Sequence, residues 1–171
     1  MALRIIYHER CFDGLVSAAL FASCHDACFG QQGEVHFAGA RYTDRTDVDP
    51  ALFVDGATHA VVDFKYSSDP RLTWWFDHHR SAFATPEDRR HYESDTSGRK
   101  VYDPHCPSCA RLIACRFSDE YDVRAEAMAE TVAWADRIDS GDFVSAAESV
   151  DGPLPRTPES SGSEVLGSWP A

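Results

Sequence analysis

Short apolar runs, several of which end close to histidine or aspartate, restrict the fold of this sequence more than any other feature. Four runs have the length of β-strands: residues 3–8, 34–42, 59–64 and 72–78. Apolar residues recur at helical spacing in three further segments: 14–29, 108–121 and 123–138. Strands separated by helices and long connections favour parallel pairing. We therefore predict an α/β fold with a doubly wound parallel sheet and helices on both faces.

The length and composition of the chain fit one domain followed by a short tail. With 171 residues, of which 43% are apolar and 26% charged, the chain can bury a core without disulfide support. Residues 1–150 are predicted to form this domain. Residues 151–171 are rich in proline, glycine and serine and lack periodicity. We interpret them as a disordered tail or a truncated linker.

The charge of the chain limits its partners. A formal net charge of −12 argues against a protein that coats long duplex nucleic acid, since phosphate neutralisation needs an excess of lysine and arginine. A small anionic substrate remains compatible if metal ions supply positive charge. No segment of the sequence resembles a signal peptide or a membrane span, so a cytoplasmic protein without membrane partners is expected. The oligomeric state is left open, with a homodimer as one alternative.

Acidic and imidazole side chains follow three of the predicted strands. His8 and Asp13 come after the first, Asp63 ends the third, and the triplet 77–79 (DHH) ends the fourth. Ligands of parallel sheets gather at the carboxyl ends of the strands, so these side chains are expected at one edge. Together they would repel one another and be costly to desolvate unless cations lay between them.

A pair of divalent ions would solve this electrostatic problem, because one carboxylate can bridge two ions. Mixed aspartate and histidine ligands suit Mn²⁺, with Zn²⁺, Fe²⁺, Co²⁺ or Mg²⁺ as alternatives. The chemistry most typical of such a site is hydrolysis of a phosphate ester by metal-activated water.

Three segments in this order, YHERCFDGLVSAA, VVDF and WWFDHH, resemble the motifs of the DHH phosphoesterase superfamily. That superfamily includes RecJ-like exonucleases, oligoribonucleases and cyclic-dinucleotide phosphodiesterases. The resemblance covers roughly residues 3–145, and three ordered motifs are far more specific than a lone DHH. It implies a manganese-dependent phosphodiesterase or phosphatase, acting on a short oligonucleotide, a cyclic dinucleotide or another small nucleotide-like substrate.

The resemblance also implies a role for each matched residue. The implied ligands of two metal ions are His8, Asp13, Asp63, His78 and Asp136, with Asp139 as the second choice for the last of these. Asp63 would bridge both ions. Asp77 would orient His78 by accepting its other ring N–H, and His79 would contact the scissile phosphate or assist the leaving oxygen.

Two departures from the family pattern support an alternative function. Many members carry a further aspartate in the first motif, and here Cys11 stands nearest that place; a thiol is a softer ligand than a carboxylate. Members usually continue into a second, substrate-binding domain, and residues 151–171 are not expected to begin one. The alternative is a catalytically degenerate or truncated DHH domain that acts as a metal-binding or nucleotide-binding module.

Simpler interpretations compete with several of these assignments. His8 alone could be a surface residue, Asp63 a turn former, and Asp136 part of a solvated helix face. Cys106 and Cys109 form CPSC, a spacing known from zinc and thiol redox sites, and in the zinc alternative Cys24 and Cys28 would complete a four-cysteine site. Three further features favour structural interpretations: Ser108 as a helix cap, Trp74 and Trp75 as core residues, and 87–100 as a solvated loop.

Overall fold

The computed structural model describes residues 2–30, 33–42 and 48–151, apart from the side chains of residues 146, 150 and 151. The predicted tail lies outside the described residues from residue 152 onward. No helix in the described ranges combines the length and hydrophobicity needed to cross a membrane.

Five strands form one sheet in which every neighbouring pair is parallel. In chain order they are β1 (Ala2–His8), β2 (Val35–Ala40), β3 (Ala57–Val62), β4 (Leu72–Asp77) and β5 (Lys100–Tyr102). Their order across the sheet is β2-β1-β3-β4-β5. The predicted α/β fold with a parallel sheet is confirmed. The fifth strand was not predicted, because its three residues follow a long polar segment and show no alternation.

Helices connect or follow these strands. They are α1 (Phe12–Phe29), α2 (Pro86–Glu93), α3 (Cys109–Tyr121), α4 (Ala129–Ser140) and α5 (Ala146–Asp151), with 3₁₀ turns at Pro50–Leu52 and Glu126–Met128. Ser108 caps α3 by accepting the N–H of Arg111, as predicted. The segment predicted as a solvated loop contains α2, which begins with a capping box formed by Thr85 and Asp88.

The two faces of the sheet bury different side chains, because successive residues of a strand point to opposite sides. Trp74 belongs to the core that α1, α3 and α4 cover, whereas Trp75 belongs to the core on the other face. Both are almost fully buried, which confirms that they are core residues. The second face is covered mainly by connecting segments, to which α2 contributes Tyr92. Helical cover is therefore unequal on the two faces.

The strand order places a crevice at the carboxyl ends of β1 and β3. After β1 the chain adds β2 on one side and then returns to add β3 on the other, so the direction of winding reverses between these two strands. In open α/β sheets such a reversal point is where ligands bind, outside the carboxyl ends of the strands. His8 ends β1 and Asp63 directly follows β3, so both lie at this point.

Candidate metal centre

The carboxyl ends of β1, β3 and β4 bring together most of the predicted site residues. In the described part of the chain, three groups have ligand atoms within 4.8 Å of one another: His8, Cys11 and Asp63; Asp63, His78 and His79; and Asp13, His78 and Asp139. Since Asp63 and His78 each belong to two groups, the three groups form one continuous set. We call these seven residues the carboxyl-edge cluster.

Asp63 lies at the centre of the cluster and is completely buried, yet neither of its carboxylate oxygens accepts a hydrogen bond. Its Oδ2 lies 3.5 Å from His8 Nδ1, and its Oδ1 lies 3.8 Å from His78 Nε2 and 3.7 Å from His79 Nδ1. Hydrogen-bonded atoms are closer, at about 2.7–3.2 Å. Two ligand atoms that share one ion through bonds of about 2.1 Å lie roughly 3.0–3.4 Å apart, slightly nearer the observed separations.

The backbone at Asp63 supports the same interpretation. Its φ is 54°, in the left-handed region that residues other than glycine rarely adopt. Such strained residues concentrate at functional sites, where the surrounding structure holds them in place. Here the Asp63 N–H donates to the Phe76 carbonyl, 2.9 Å away, and this bond fixes the turn that aims the carboxylate at the histidines.

His78 is oriented by the main chain of a distant segment. Its Nδ1 lies 3.0 Å from the carbonyl oxygen of Cys106, and because a carbonyl only accepts, Nδ1 must be the donor. The neutral ring therefore has its lone pair on Nε2, which is buried without a hydrogen-bond partner. Nε2 lies 3.2 Å from Asp139 Oδ2 and 3.5 Å from Asp13 Oδ2, as a metal ligand held by an outer hydrogen bond would.

The charges around His78 act on its protonation. Burial by itself lowers the pKa of His78, but the carboxylates of Asp139 and Asp13 and the Cys106 carbonyl outweigh burial and raise it to about 9. In the metal-free protein this imidazole thus favours the protonated form, which offsets part of the negative charge of the cluster.

Asp77 orients His79 rather than His78, which corrects the predicted pairing. Its Oδ1 accepts from the backbone N–H groups of both histidines and lies 2.7 Å from His79 Nδ1. The reason is local: at the strand end the chain turns back over the Asp77 carboxylate, which brings the second histidine within reach. This pairing raises the pKa of His79. His79 is the more exposed histidine of the triplet, at 29% against 8% for His78.

Asp13 has a second role that the sequence did not reveal. Its carboxylate accepts the N–H groups of Cys109 (2.7 Å) and Ala110 (2.9 Å), the first two residues of α3. The amides of Cys109 and Ala110 thus donate to the carboxylate of Asp13. The next amide, that of Arg111, donates to the Ser108 hydroxyl, which caps the helix. Burial, assisted by the nearby carboxylate of Asp63, raises the pKa of Asp13 to about 7.

Asp139, and not Asp136, brings α4 into the cluster. The Asp136 carboxylate accepts from the Ser108 hydroxyl at 2.6 Å and from the guanidinium of Arg111 at 2.6 and 2.9 Å. Its charge is therefore already compensated outside the cluster. The two aspartates lie three positions apart, which rotates them by about 60° around the helix. Because of this rotation, Asp139 contacts His78, whereas Asp136, the residue predicted first, does not.

Close backbone packing explains the DG pair at the start of α1. A Cβ atom on Gly14 would lie 2.2 Å from the carbonyl oxygen of His8, far inside van der Waals contact. Only glycine lets α1 begin this close to the end of β1, which brings Asp13 and His8 to the same edge. Cys11, the N-cap residue of α1, enters the cluster for the same reason.

The CPSC motif lies beside the cluster without forming a metal site of its own. The Cys109 thiol is fully buried and donates to the carbonyl of Phe76 at 3.3 Å. None of the potential metal-binding groups found among the described residues contains Cys106, Cys109, Cys24 or Cys28. The zinc interpretation of CPSC therefore receives no support from the structure.

The donor set of the carboxyl-edge cluster fits divalent cations. Among the described residues, no lysine or arginine forms an ion pair with Asp13, Asp63 or Asp139, whose only charged partners are histidines. Buried atoms without hydrogen-bond partners face one another across the cluster: His8 Nδ1, both oxygens of Asp63, and His78 Nε2. Unpaired buried polar atoms are costly, and a cation would satisfy them together.

Comparisons of the chain with protein-family models, with curated proteins and with solved structures find no match. Any functional assignment therefore depends on the chemistry of the cluster itself.

Proposed function

We propose that this chain is a metal-dependent phosphoesterase of the DHH type, which hydrolyses a phosphodiester or phosphomonoester in a small nucleotide-like substrate. Mn²⁺ is the favoured ion. The observation that carries the proposal is the Asp63 carboxylate, which is completely buried, has no hydrogen bond to either oxygen and faces three imidazoles. A buried charge in this condition is strongly destabilising unless a cation compensates it.

The cluster supplies ligands for two neighbouring positions. His8, Cys11 and Asp63 would hold one ion, and Asp13, His78 and Asp139 the other, with Asp63 close enough to His78 to serve both. Two bound ions would supply Lewis acidity, lowering the pKa of water and stabilising negative charge on a phosphate. Each position has three protein ligands, which leaves room for water and substrate in the coordination shell.

His79 has the geometry of a group that contacts the substrate. Asp77 holds its Nδ1 at 2.7 Å and raises the pKa of the imidazole, so the ring is fixed in orientation and more often protonated. Since His79 is partly exposed at the rim of the cluster, its other ring nitrogen is available to donate a hydrogen bond to a phosphate oxygen.

The surface next to His8 supports a small substrate that carries a phosphate. The ring of Tyr42 packs edge-on to His8 with centroids 4.9 Å apart and is 46% exposed. The ammonium of Lys65 lies 5.6 Å from the centroid of the same ring. Because Lys65 lies over this ring and Phe64 packs against it with centroids 4.6 Å apart, the surface offers a positive charge for a phosphate rather than a free face for a base. The negative net charge of the chain favours small substrates over long duplexes.

The test combines ion binding with turnover. Metal-free protein is titrated with Mn²⁺ by calorimetry and electron paramagnetic resonance, and the loaded protein is assayed with bis(p-nitrophenyl) phosphate, short oligonucleotides and cyclic dinucleotides. We expect two magnetically coupled ions in the parent and loss of the coupling in Asp63→Asn, which keeps the side-chain shape and removes the charge. Asp136→Asn is the matched control, because Asp136 pairs with Arg111 outside the cluster.

Absence of Mn²⁺ binding, or binding that Asp63→Asn leaves unchanged, would refute the proposal. Coupled ions without hydrolysis of any substrate would instead favour the alternative of a metal-binding module. That alternative predicts that nucleotides bind the loaded protein and are recovered intact.

A further inference from the structure

We propose that the two metal positions prefer different ions. The position formed by His8, Cys11 and Asp63 is selective for a thiophilic ion such as Zn²⁺. The position formed by Asp13, His78 and Asp139 is suited to Mn²⁺. The protein would then be a mixed-metal enzyme rather than a dimanganese enzyme. This inference rests on the proposed function, because it divides the ions of the same cluster between unlike ligand sets.

The first position combines three kinds of donor atom. His8 offers a ring nitrogen, Cys11 a sulfur and Asp63 an oxygen, all within 4.8 Å of one another. Buried atoms without hydrogen-bond partners lie beside the Cys11 thiol. Asp63 is completely buried with both oxygens unpartnered, and His8 Nδ1, 3.5 Å from Asp63 Oδ2, is also buried without a hydrogen bond.

The position of Cys11 in the fold favours its use as a ligand. It is the N-cap residue of α1, its side chain makes no capping hydrogen bond, and the helix that follows has 18 residues. Burial and the carboxylates of Asp63 and Asp13 raise the pKa of the Cys11 thiol to about 11, although the amides at the start of α1 act in the opposite direction. A bound cation would therefore be needed to hold Cys11 as a thiolate. Cys106 and Cys109 belong to no such group in the described ranges, and Cys115 is exposed, so Cys11 is the cysteine that the cluster would use.

The second position has only hard and borderline donors. Asp13 and Asp139 contribute carboxylate oxygens and His78 contributes Nε2. Thiolates favour Zn²⁺ over Mn²⁺, whereas carboxylates accept Mn²⁺ readily. The shared Asp63 carboxylate is compatible with either ion. The single thiol therefore makes the two halves of the cluster chemically unequal.

The experiment uses Co²⁺ as an optical substitute for Zn²⁺, because a Co²⁺–thiolate bond absorbs in the near ultraviolet. Metal-free protein is titrated with Co²⁺, and the parent is then loaded with Zn²⁺ and Mn²⁺ together and analysed for bound metal. We expect a thiolate-to-cobalt band that saturates at one ion per chain, and one Zn²⁺ plus one Mn²⁺ in the mixed loading. Cys11→Ser should lose the band and bind Zn²⁺ more weakly by at least the roughly 10-fold that loss of an outer partner costs.

Two variants and one chemical probe complete the design. Cys115→Ser removes an exposed thiol and should leave the band unchanged. Cys11→Asp replaces sulfur by oxygen and should shift the mixed loading towards two Mn²⁺. In the unaltered chain, Zn²⁺ should protect Cys11 from iodoacetamide while Cys115 continues to react, which tests the inference even if the variants at position 11 do not fold.

The possible results separate this inference from the proposed function. Coupled Mn²⁺ binding without a thiolate band, or without protection of Cys11, would overturn the inference and leave the phosphoesterase proposal standing. Failure of all divalent ions to bind would overturn both. A band that persists in Cys11→Ser would place the thiolate ligand elsewhere and also overturn the inference.

Discussion

His59, in β3, and His78, directly after β4, are both buried histidines of one sheet, but their surroundings differ. His59, in β3, accepts the N–H of Val54 at its Nε2, 3.0 Å away. Burial lowers its pKa, and the nearby guanidinium groups of Arg71 and Arg4 act in the same direction. This imidazole is therefore neutral and acts as a hydrogen-bond acceptor within the core.

The environment of His78 has the opposite charge. Its Nε2 faces the carboxylates of Asp139, Asp13 and Asp63 at 3.2, 3.5 and 3.8 Å, and its pKa is raised to about 9 against the effect of burial. Burial alone thus says little about what a histidine does. The charge of its neighbours distinguishes a structural imidazole from a candidate ligand.

The largest contrast is expected from the matched substitutions His78→Leu and His59→Leu. His78→Leu removes the Nε2 atom that faces three carboxylates and would bind the ion. It should weaken Mn²⁺ binding by more than the roughly 10- to 100-fold typical of outer partners of metal ligands. His59→Leu should leave Mn²⁺ affinity unchanged and lower the free energy of unfolding by about 1–3 kcal/mol, because the Val54 N–H loses its acceptor. Calorimetric titration and urea unfolding measure the two effects, and equal losses of ion affinity would remove the distinction.

A glycine substitution tests whether the cluster depends on close packing of the backbone. Gly14→Ala should lower the free energy of unfolding by about 3 kcal/mol, since its Cβ would lie 2.2 Å from the His8 carbonyl. Gly141→Ala is the control: Gly141 has φ 67°, and the space around it is open. Its substitution should cost only the left-handed strain, about 1 kcal/mol. Denaturant unfolding of the metal-free proteins measures both, and a Gly14→Ala cost no larger than the control would contradict the packing argument.

The two aspartates of α4 sharpen the comparison within one helix. Asp139→Asn should weaken Mn²⁺ binding by at least the roughly 10-fold that loss of an outer partner costs, because it removes a charge 3.2 Å from His78 Nε2. The loss should be smaller than in His78→Leu, since the amide keeps an oxygen donor. Asp136→Asn should retain the affinity and lower the free energy of unfolding by about 1 kcal/mol, through its weakened bonds to Ser108 and Arg111. Calorimetry on the pair decides which residue serves the cluster. A larger loss of Mn²⁺ affinity in Asp136→Asn than in Asp139→Asn would show that Asp136 is the ligand, as first predicted from the sequence.

The last comparison is an opposite dependence of apoprotein stability on pH for the two histidines. The raised pKa of His78 contributes stability that is present below pH 6.5 and lost as pH rises towards 9. The lowered pKa of His59 contributes stability that is present above pH 6.5 and lost as pH falls below it. Urea unfolding of metal-free protein across this range should show each slope weakened in the matching leucine variant. Slopes of the same sign would contradict the assigned environments.

Much of the architecture could be predicted from the sequence because it depends on local pattern. The four longer strands have apolar runs of strand length, and α1, α3 and α4 have apolar residues at helical spacing. Burial of these apolar residues determines both the strands and the helices. The strand β5 escaped prediction because its pairing with β4, and not its own three residues, makes it a strand. The helix α2 is polar, but the sequence TPED at 85–88 contained a detectable signal, the capping box.

Which residues form the candidate site was largely predictable from the sequence, but their contacts were not. Strand ends identified His8, Asp63 and the DHH triplet, because the carboxyl ends of parallel strands share an edge. Which partner each of these residues contacts was not predictable. The sequence places Asp77 next to His78, yet the structure pairs Asp77 with His79 and gives His78 the carbonyl of Cys106.

By itself, the sequence determined the parallel α/β fold, the edge at which donor atoms gather and the presence of one thiol among carboxylates and imidazoles. These follow from apolar periodicity and from residue type, which are properties of short segments. Only the tertiary structure decided that Asp139 and not Asp136 reaches the cluster, and that Asp13 also holds the start of α3. The physical reason is that such contacts depend on helix rotation and on segments distant in sequence, both set by packing of the whole domain.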